Sequence, residues 1–153
     1  MLVHLIRHAH AGSRTAWNLP DAQRPLSDKG LSQAVALSEL DVGQANVHSS
    51  PAIRCTQTVD PLASRLGVAV QVDNRLAEGS DPSNVVGWIC QAPDDGLVLC
   101  SHGDILPEVL RLLALRGMTL DGPPAVQKAS VWVCDIRDGQ PHHASYIPPP
   151  RLS

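Results

Sequence analysis

The stretch Leu2–Ser13, which reads LVHLIRHAHAGS, decides the fold of this chain. Its mostly apolar residues 2–6 predict a short buried strand, and the small residues that follow the strand predict a loop. Arg7 and His8 stand where the strand runs into that loop. Ligands bind at the carboxyl edge of the sheet in open α/β folds. We therefore expect a cation and an imidazole to face a ligand there.

Two further segments end in the same way. The stretch Ser49–Arg54, SSPAIR, places Arg54 in the first turn of a predicted helix, and a predicted strand over 97–101 is followed by His102. With the arginine and histidine of the first strand, these segments place two arginines and two histidines at strand-to-helix junctions. Guanidinium and imidazole groups donate hydrogen bonds to anions. The pattern predicts a site for an oxyanion such as phosphate.

The rest of the chain alternates predicted strands and helices. The strands are expected at 45–49, 68–72, 97–101, 130–136 and about 141–147, and the helices from Ser27 onward, at 50–67, from Asp81 to about Gln91, and at about 104–116. This alternation predicts an α/β fold: a single domain with a mostly parallel central sheet and helices on both faces.

The second helix has the clearest end signals. Ser50 is its predicted N-cap, Pro51 suits the first helical position, and Gly67 ends it. Pro61 lies inside the helix, where a missing N–H and a steric clash predict a kink or a break. A turn is predicted at Asp94-Asp95-Gly96, just before the strand over 97–101.

The composition limits the class of protein. A chain of 153 residues fits one domain, which we place at 1–147, with the proline-rich residues 148–153 as a C-terminal tail. A net charge of −3 offers no general basic surface for nucleic acid. Arg7 and His8 interrupt the apolar run that a signal peptide would need, and no run is long enough to cross a membrane. We expect a cytoplasmic protein without a nucleic-acid or membrane partner.

The cysteines and histidines do not predict a metal site. The four cysteines lack paired spacing such as C-x-x-C, and Cys100 and Cys134 are expected as buried thiols in strands. His4 and His8 would share one face of a strand, but about 13 Å apart, which is too far to bind one ion. We expect neither a metal nor another cofactor.

Five short motifs carry a resemblance to a known family. They are Arg7-His8, Arg24–Gly30 (RPLSDKG), Ser49–Arg54, Leu76–Glu78 (LAE) and Ser101–Gly103 (SHG). In this order they resemble the histidine phosphatase superfamily, which includes the cofactor-dependent phosphoglycerate mutases. The compact length is most similar to the SixA-type phosphohistidine phosphatases and to the phosphatase domain that some bacterial Nudix hydrolases carry.

The resemblance implies a role for each site residue. His8 is the candidate nucleophile, since a neutral imidazole nitrogen can attack phosphorus and form a phosphohistidine. Arg7 and Arg54 are expected to lower the pKa of His8 and to clamp the phosphoryl oxygens. His102 is a second donor to the phosphoryl group. Glu78, in the family's Leu-x-Glu position, is the candidate general acid or base, with a solvated loop carboxylate as the alternative.

Two more residues are expected to bind substrate. Gly103 and the helix start after it are expected to offer backbone N–H groups and a positive dipole end. Arg14 lies where the mutases carry a loop that contacts substrate, although the local sequence departs from theirs, and an exposed loop arginine without a role in binding is the equal alternative. Ala9 replaces the glycine that usually follows the arginine and histidine, a small change beside the phosphate.

The spacing between Glu78 and His102 indicates what kind of substrate the site can accept. Only 24 positions separate His102 from Glu78, so the helical lid that the mutases insert there has no room. An open site suits phosphohistidine on a protein surface, and a metal-independent phosphatase acting on such a protein is our leading hypothesis. The alternatives are a phosphatase of nucleotides or other small phosphate esters, and a non-catalytic module that binds phosphorylated ligands.

Overall fold

The computed structural model of the protein describes residues 1–92 and 95–152. Within them, seven strands and four helices follow one another. In chain order these are β1 (Leu2–Arg7), α1 (Asp28–Leu37), β2 (Ala45–Ser49), α2 (Ile53–Leu66), β3 (Val70–Val72), α3 (Pro82–Gln91), β4 (Gly96–Ser101), α4 (Leu106–Leu115), β5 (Thr119–Leu120), β6 (Val131–Arg137) and β7 (Gln140–Ile147).

All seven strands form one sheet, in the order β3-β2-β4-β1-β6-β7-β5. The strands β3, β2, β4 and β1 are parallel to one another, whereas β6 is antiparallel to both β1 and β7. The short β5, which the sequence did not predict, pairs with β7 in parallel. The prediction of a mostly parallel sheet is confirmed, and β1 lies at its centre.

The sheet is covered on both faces, as predicted. Val3 and Leu5 of β1 belong to a core that includes the apolar residues of α3 and α4. Ile6 belongs to a second core, with the apolar residues of α1 and α2. Successive side chains of a strand point to opposite faces, so one apolar run supplies both cores.

The helix α2 begins later than predicted. The backbone N–H of Ser50 donates to the Cys100 carbonyl at 3.0 Å, so Ser50 still belongs to the sheet and is not the helix cap. Ala52 precedes the helix without a side-chain cap. Pro61 does not break α2, because buried side chains on both sides of it hold the helix on the sheet. Gly67 ends the helix at φ 72°, as predicted.

Smaller differences lie at loops and helix ends. The helix α4 begins at Leu106, two residues after the predicted start. A 3₁₀ turn, Asp21–Gln23, interrupts the predicted surface loop. The turn predicted at Asp94-Asp95-Gly96 begins outside the described residues. The division at residue 147 stays a prediction, although β7 ends there. Within the described ranges, no helix combines the length and the apolar character needed to cross a membrane.

Candidate active site

The carboxyl ends of three adjacent parallel strands meet at one edge of the sheet. The register pairs Arg7 of β1 with Ser101 of β4, and Ser49 of β2 with Cys100 of β4. His8 continues this ladder, because its backbone N–H donates to the Ser101 carbonyl at 3.1 Å. The three strands therefore end side by side, and the predicted site residues come together at these ends.

His8 is buried at this edge of the sheet, with 5% of its surface exposed. Its Nδ1 is 2.8 Å from the Ala9 carbonyl oxygen, which only accepts, so Nδ1 carries the proton and Nε2 the lone pair. Burial lowers the pKa of His8 to about 3, against the Ala9 carbonyl, and His102, Arg54 and Arg7 lower it further. The predicted direction is right, but burial is a larger cause than the two arginines.

The ring centroid of His102 lies 5.5 Å from that of His8. The Nδ1 of His102 is 3.5 Å from Arg54 Nη2, and its Nε2 is 2.8 Å from Ser50 Oγ. Both ring nitrogens therefore have a polar neighbour, and the role of His102 as a second donor to the phosphoryl group stays a prediction. The serine that the sequence suggested as a helix cap therefore orients this histidine instead.

Arg7 is held by a loop that the sequence did not connect to the site. Its Nη1 donates to the Val126 carbonyl at 2.8 Å, while its buried Nε has no partner among the described residues. A Cβ at Gly103 would lie 2.7 Å from Arg7 Cζ. The absence of a side chain at Gly103 is therefore what lets the guanidinium lie beside the start of the following turn.

The backbone of that turn differs from the prediction. The amides of Ile105 and Leu106 both donate to the His102 carbonyl, so the first helical N–H groups are already used. The N–H groups of Gly103 and Asp104 have no acceptor within the described chain, and both residues line the site cavity. The predicted N–H groups of a helix start are thus replaced by two amides of the turn before α4.

Arg54 enters the site from the first turn of α2 and is 1% exposed. Its Nη1 donates to the Asp21 carbonyl oxygen at 2.8 Å, and its Nη2 lies 3.0 Å from Asp21 Oδ2 and 3.4 Å from Glu78 Oε2. A buried guanidinium is expensive unless it is paired. Asp21 provides that pairing and holds Arg54 in place.

Asp21 and Arg24 are site residues that the sequence analysis missed. Arg24 is 6% exposed; its Nε contacts Asp21 Oδ1 at 3.1 Å, and its Nη1 donates to the Ala11 carbonyl at 2.7 Å. The pKa of Asp21 is lowered against the opposing effect of burial, first by its hydrogen bond from Arg24 and then by Arg54, Arg24 and Arg14. Arg24 could have been identified from its place in the RPLSDKG motif, whereas Asp21 belongs to none of the five motifs.

The rest of that motif braces the loop after β1. Ser27 caps α1 by accepting the Gly30 N–H at 3.1 Å, and its hydroxyl also donates to the His10 carbonyl at 3.1 Å. A Cβ at Gly30 would overlap the same carbonyl oxygen. The Ala9 N–H donates to Thr58 of α2 at 2.9 Å. These bonds fix the loop that follows His8.

Arg14 and Glu78 form the rim. Arg14 Nη2 contacts Glu78 Oε1 at 2.7 Å, and Arg14 Nε contacts Asp21 Oδ1 at 3.3 Å. Their side chains are 58% and 41% exposed. Arg14 and Glu78 are therefore at the solvent-exposed mouth of the site.

Most of these residues surround a cavity of about 290 Å³, here called the site cavity. Arg54 and Asp21 instead line a neighbouring cavity of about 230 Å³, which shares Glu78 and His102 with the site cavity. Its lining consists of Arg7, His8, Gly12, Arg14, Arg24, Glu78, His102, Gly103, Asp104 and Lys128. The segment between Glu78 and β4 contains α3, whose buried residues Val85, Val86 and Ile89 pack into the core. This helix covers the sheet and forms no lid, in agreement with the spacing argument.

Metal ligands do not gather here. Across residues 1–92 and 95–152, no group of three or more histidine, cysteine, aspartate or glutamate side chains is placed to hold an ion. His10, which alternates with His8 in the sequence, instead places Nδ1 2.6 Å from the Ser27 hydroxyl.

Comparison with known proteins identifies the family. The sequence profile described as the histidine phosphatase superfamily (branch 1) matches residues 3–80, about half of the chain. This chain belongs to that superfamily. The resemblance carried by the five motifs is confirmed, and the profile covers those up to Leu76–Glu78.

A curated relative covers almost the whole chain. The 8-oxo-(d)GTP phosphatase of Mycolicibacterium smegmatis is 28% identical over 156 residues, which are 97% of this chain and 48% of that protein. This member of the histidine phosphatase superfamily thus spans about half the length of the relative that it matches.

Solved structures share the fold. The protein histidine phosphatase SixA complexed with tungstate has a TM-score of 0.73 at 16% identity, covering 96% of this chain and 94% of that one. A phosphoserine phosphatase mutant of Entamoeba histolytica in complex with phosphoserine has a TM-score of 0.69 at 13% identity, covering 92% and 93%. The predicted single-domain α/β fold of this superfamily is confirmed.

Proposed function

We propose that this protein is a metal-independent phosphatase that transfers a phosphoryl group to His8 and then to water. One observation carries the proposal: a neutral, buried imidazole presents an unprotonated Nε2 at the floor of a cavity lined by arginines. Superfamily membership supports the same reaction class. The predicted substrate is a phosphorylated molecule.

In the first step, Nε2 of His8 attacks phosphorus. The N–P bond forms while the bond from phosphorus to the leaving atom breaks, and the electron pair goes to the leaving group. The ring becomes cationic, and its Nδ1–H keeps donating to the Ala9 carbonyl, which stabilises that charge. Arg7 and Arg54 hold the phosphoryl oxygens, whose charge the transition state spreads over three atoms.

The need for a general acid depends on the leaving group. An ester oxygen needs a proton, and Glu78 at the rim is placed to supply one. An imidazole leaving group needs little assistance. In the second step, water attacks phosphorus, the N–P bond breaks with its electron pair returning to Nε2, and Glu78 accepts a proton from the water.

Two substrate classes have support. A protein phosphohistidine, our leading candidate, fits a site without a lid, whose rim residues Arg14 and Glu78 are exposed. A nucleotide, or another small phosphate ester, is supported by the name of the 28% identical relative and by the presence of Glu78. A cytoplasmic location stays a prediction.

The test is phosphate release in the presence of a chelator, with His8→Ala as the control. The panel holds a phosphohistidine protein, nucleoside di- and triphosphates, and small sugar and glycerate phosphates. We expect release that His8→Ala abolishes, with the fastest substrate giving the class. Tight phosphate binding without release from any member would favour the non-catalytic module. Release that survives in His8→Ala would refute His8 as the nucleophile.

A further inference from the structure

Both lysines of the protein lie beside a second cavity that adjoins the site. The sequence contains two lysines, Lys29 and Lys128. Both line a cavity of about 550 Å³, here called the lysine cavity, together with His10, Gln33 and residues of the C-terminal segment. Lys128 also lines the site cavity. It therefore stands at the boundary between the two.

The loop before β6 fixes the position of Lys128. The Ala129 N–H lies 3.1 Å from the Arg7 carbonyl and 3.2 Å from the His8 carbonyl. Val126, two residues before Lys128, accepts a hydrogen bond from the Arg7 side chain. Ala129 adopts φ 65°, a left-handed conformation that a non-glycine residue rarely keeps without function or support. The backbone that carries Lys128 is thus attached directly to the reactive pair.

The charges around Lys128 leave room for an anion. No acidic side chain among residues 1–92 and 95–152 lines the lysine cavity, and no carboxylate in these ranges forms an ion pair with either lysine. Burial lowers the pKa of Lys128, and the nearby Arg7, Arg24, Arg54 and Lys29 lower it further. A partly buried ammonium among other cations is stabilised by an incoming negative charge.

We propose that Lys128 binds a second phosphate of the substrate, attached to the phosphate that His8 attacks, with Lys29 further along the same path. The inference rests on the proposed function and, of its two substrate classes, selects the nucleotide or other small phosphorylated compound over the protein phosphohistidine, since it requires two linked phosphates. On transfer, the bridging P–O bond breaks, and its electron pair leaves on the inner phosphate that Lys128 holds. A phosphate leaving group needs less protonation than an alkoxide, so charge stabilisation by Lys128 assists its departure.

The experiment measures anion binding without turnover. Inorganic phosphate and inorganic pyrophosphate are titrated calorimetrically into His8→Gln protein and into the same protein carrying Lys128→Ala, Lys128→Arg or Arg116→Ala. Arg116 is exposed at the far end of α4, so its variant removes one positive charge outside both cavities. Thermal denaturation establishes that each variant is folded.

We expect pyrophosphate to bind at one per chain and at least tenfold more tightly than phosphate, as for one added charge-assisted hydrogen bond. Lys128→Ala should remove about tenfold of that preference, while Lys128→Arg and Arg116→Ala should keep most of it. Equal affinities for the two anions, or a preference that survives Lys128→Ala, would overturn the inference. Failure of every anion to bind, together with no phosphate release by wild type, would instead refute the proposed function.

Discussion

Replacing Gly103 by alanine should separate activity from stability. The new Cβ would lie 2.7 Å from Arg7 Cζ and 3.0 Å from both Arg7 Nε and Arg7 Nη2. To reach ordinary contact at 3.4 Å, the guanidinium carbon must retreat by about 0.7 Å. That movement also strains the hydrogen bond from Arg7 to the Val126 carbonyl.

The size of the effect follows from the role of Arg7. A displacement of about 1 Å in a catalytic group can cost about 100-fold, and a lost hydrogen bond to a charged group costs about 1.5–3 kcal/mol. We therefore expect kcat/KM for the best substrate to fall by about 10- to 100-fold. Gly103 does not occupy the left-handed region, so the backbone accepts alanine, and the stiffer unfolded chain contributes about 0.4–1 kcal/mol. This gain offsets part of the cost of moving Arg7, so the free energy of unfolding should change less than the activation free energy.

The assay compares kcat/KM and thermal denaturation of wild type, Gly103→Ala and a matched control. Gly87 in α3 is the control, because a Cβ there meets nothing within 4 Å. Gly87→Ala should raise stability by about 0.5–1 kcal/mol and leave kcat/KM unchanged. A folded Gly103→Ala protein with wild-type kcat/KM would refute the placement of Arg7 on the phosphoryl group.

Three other substitutions test the loop after β1, the buried histidine and the rim carboxylate. Gly30→Ala places a methyl on the His10 carbonyl and should lower the free energy of unfolding by about 1–3 kcal/mol in urea, so an unchanged midpoint would contradict this packing. The pKa of His8 is about 3 when folded and 6.5 ordinarily, so the unfolded chain takes up the proton first and stability declines as pH falls from 6.5 toward 3. His8→Gln should flatten that decline, and equal slopes would show that His8 is not held neutral. Glu78→Gln should slow ester hydrolysis by about 100-fold or more while slowing phosphohistidine hydrolysis less, and equal losses would exclude a proton-donor role.

The strand ends could be predicted because their signals are local. An apolar run followed by small residues identifies β1, and the residue types of Arg7, His8, Arg54 and His102 indicate anion chemistry before any contact is known. The alternation of strands and helices then determines the fold class, since it brings the carboxyl ends of parallel strands to one edge.

What could not be predicted depends on docking between distant segments. Asp21 lies in a polar loop and becomes a site residue only when α2 brings Arg54 against it. From the sequence, Ser50 is predicted to cap a helix. In the structure its N–H instead donates to a carbonyl of β4, and its hydroxyl contacts His102. Lys128 gives no sequence signal at all, because its place follows from the pairing of β6 with β1.

The central place of β1 has a consequence for synthesis of the protein. Its Leu5 pairs with Leu99 on one side and Trp132 on the other, so both neighbours of β1 are translated much later than β1 itself. Contacts between such distant segments form slowly, and an apolar strand with unpaired edges associates readily with other chains. During synthesis, β1 therefore has neither of its two neighbours in the sheet until β4 and β6 have been translated.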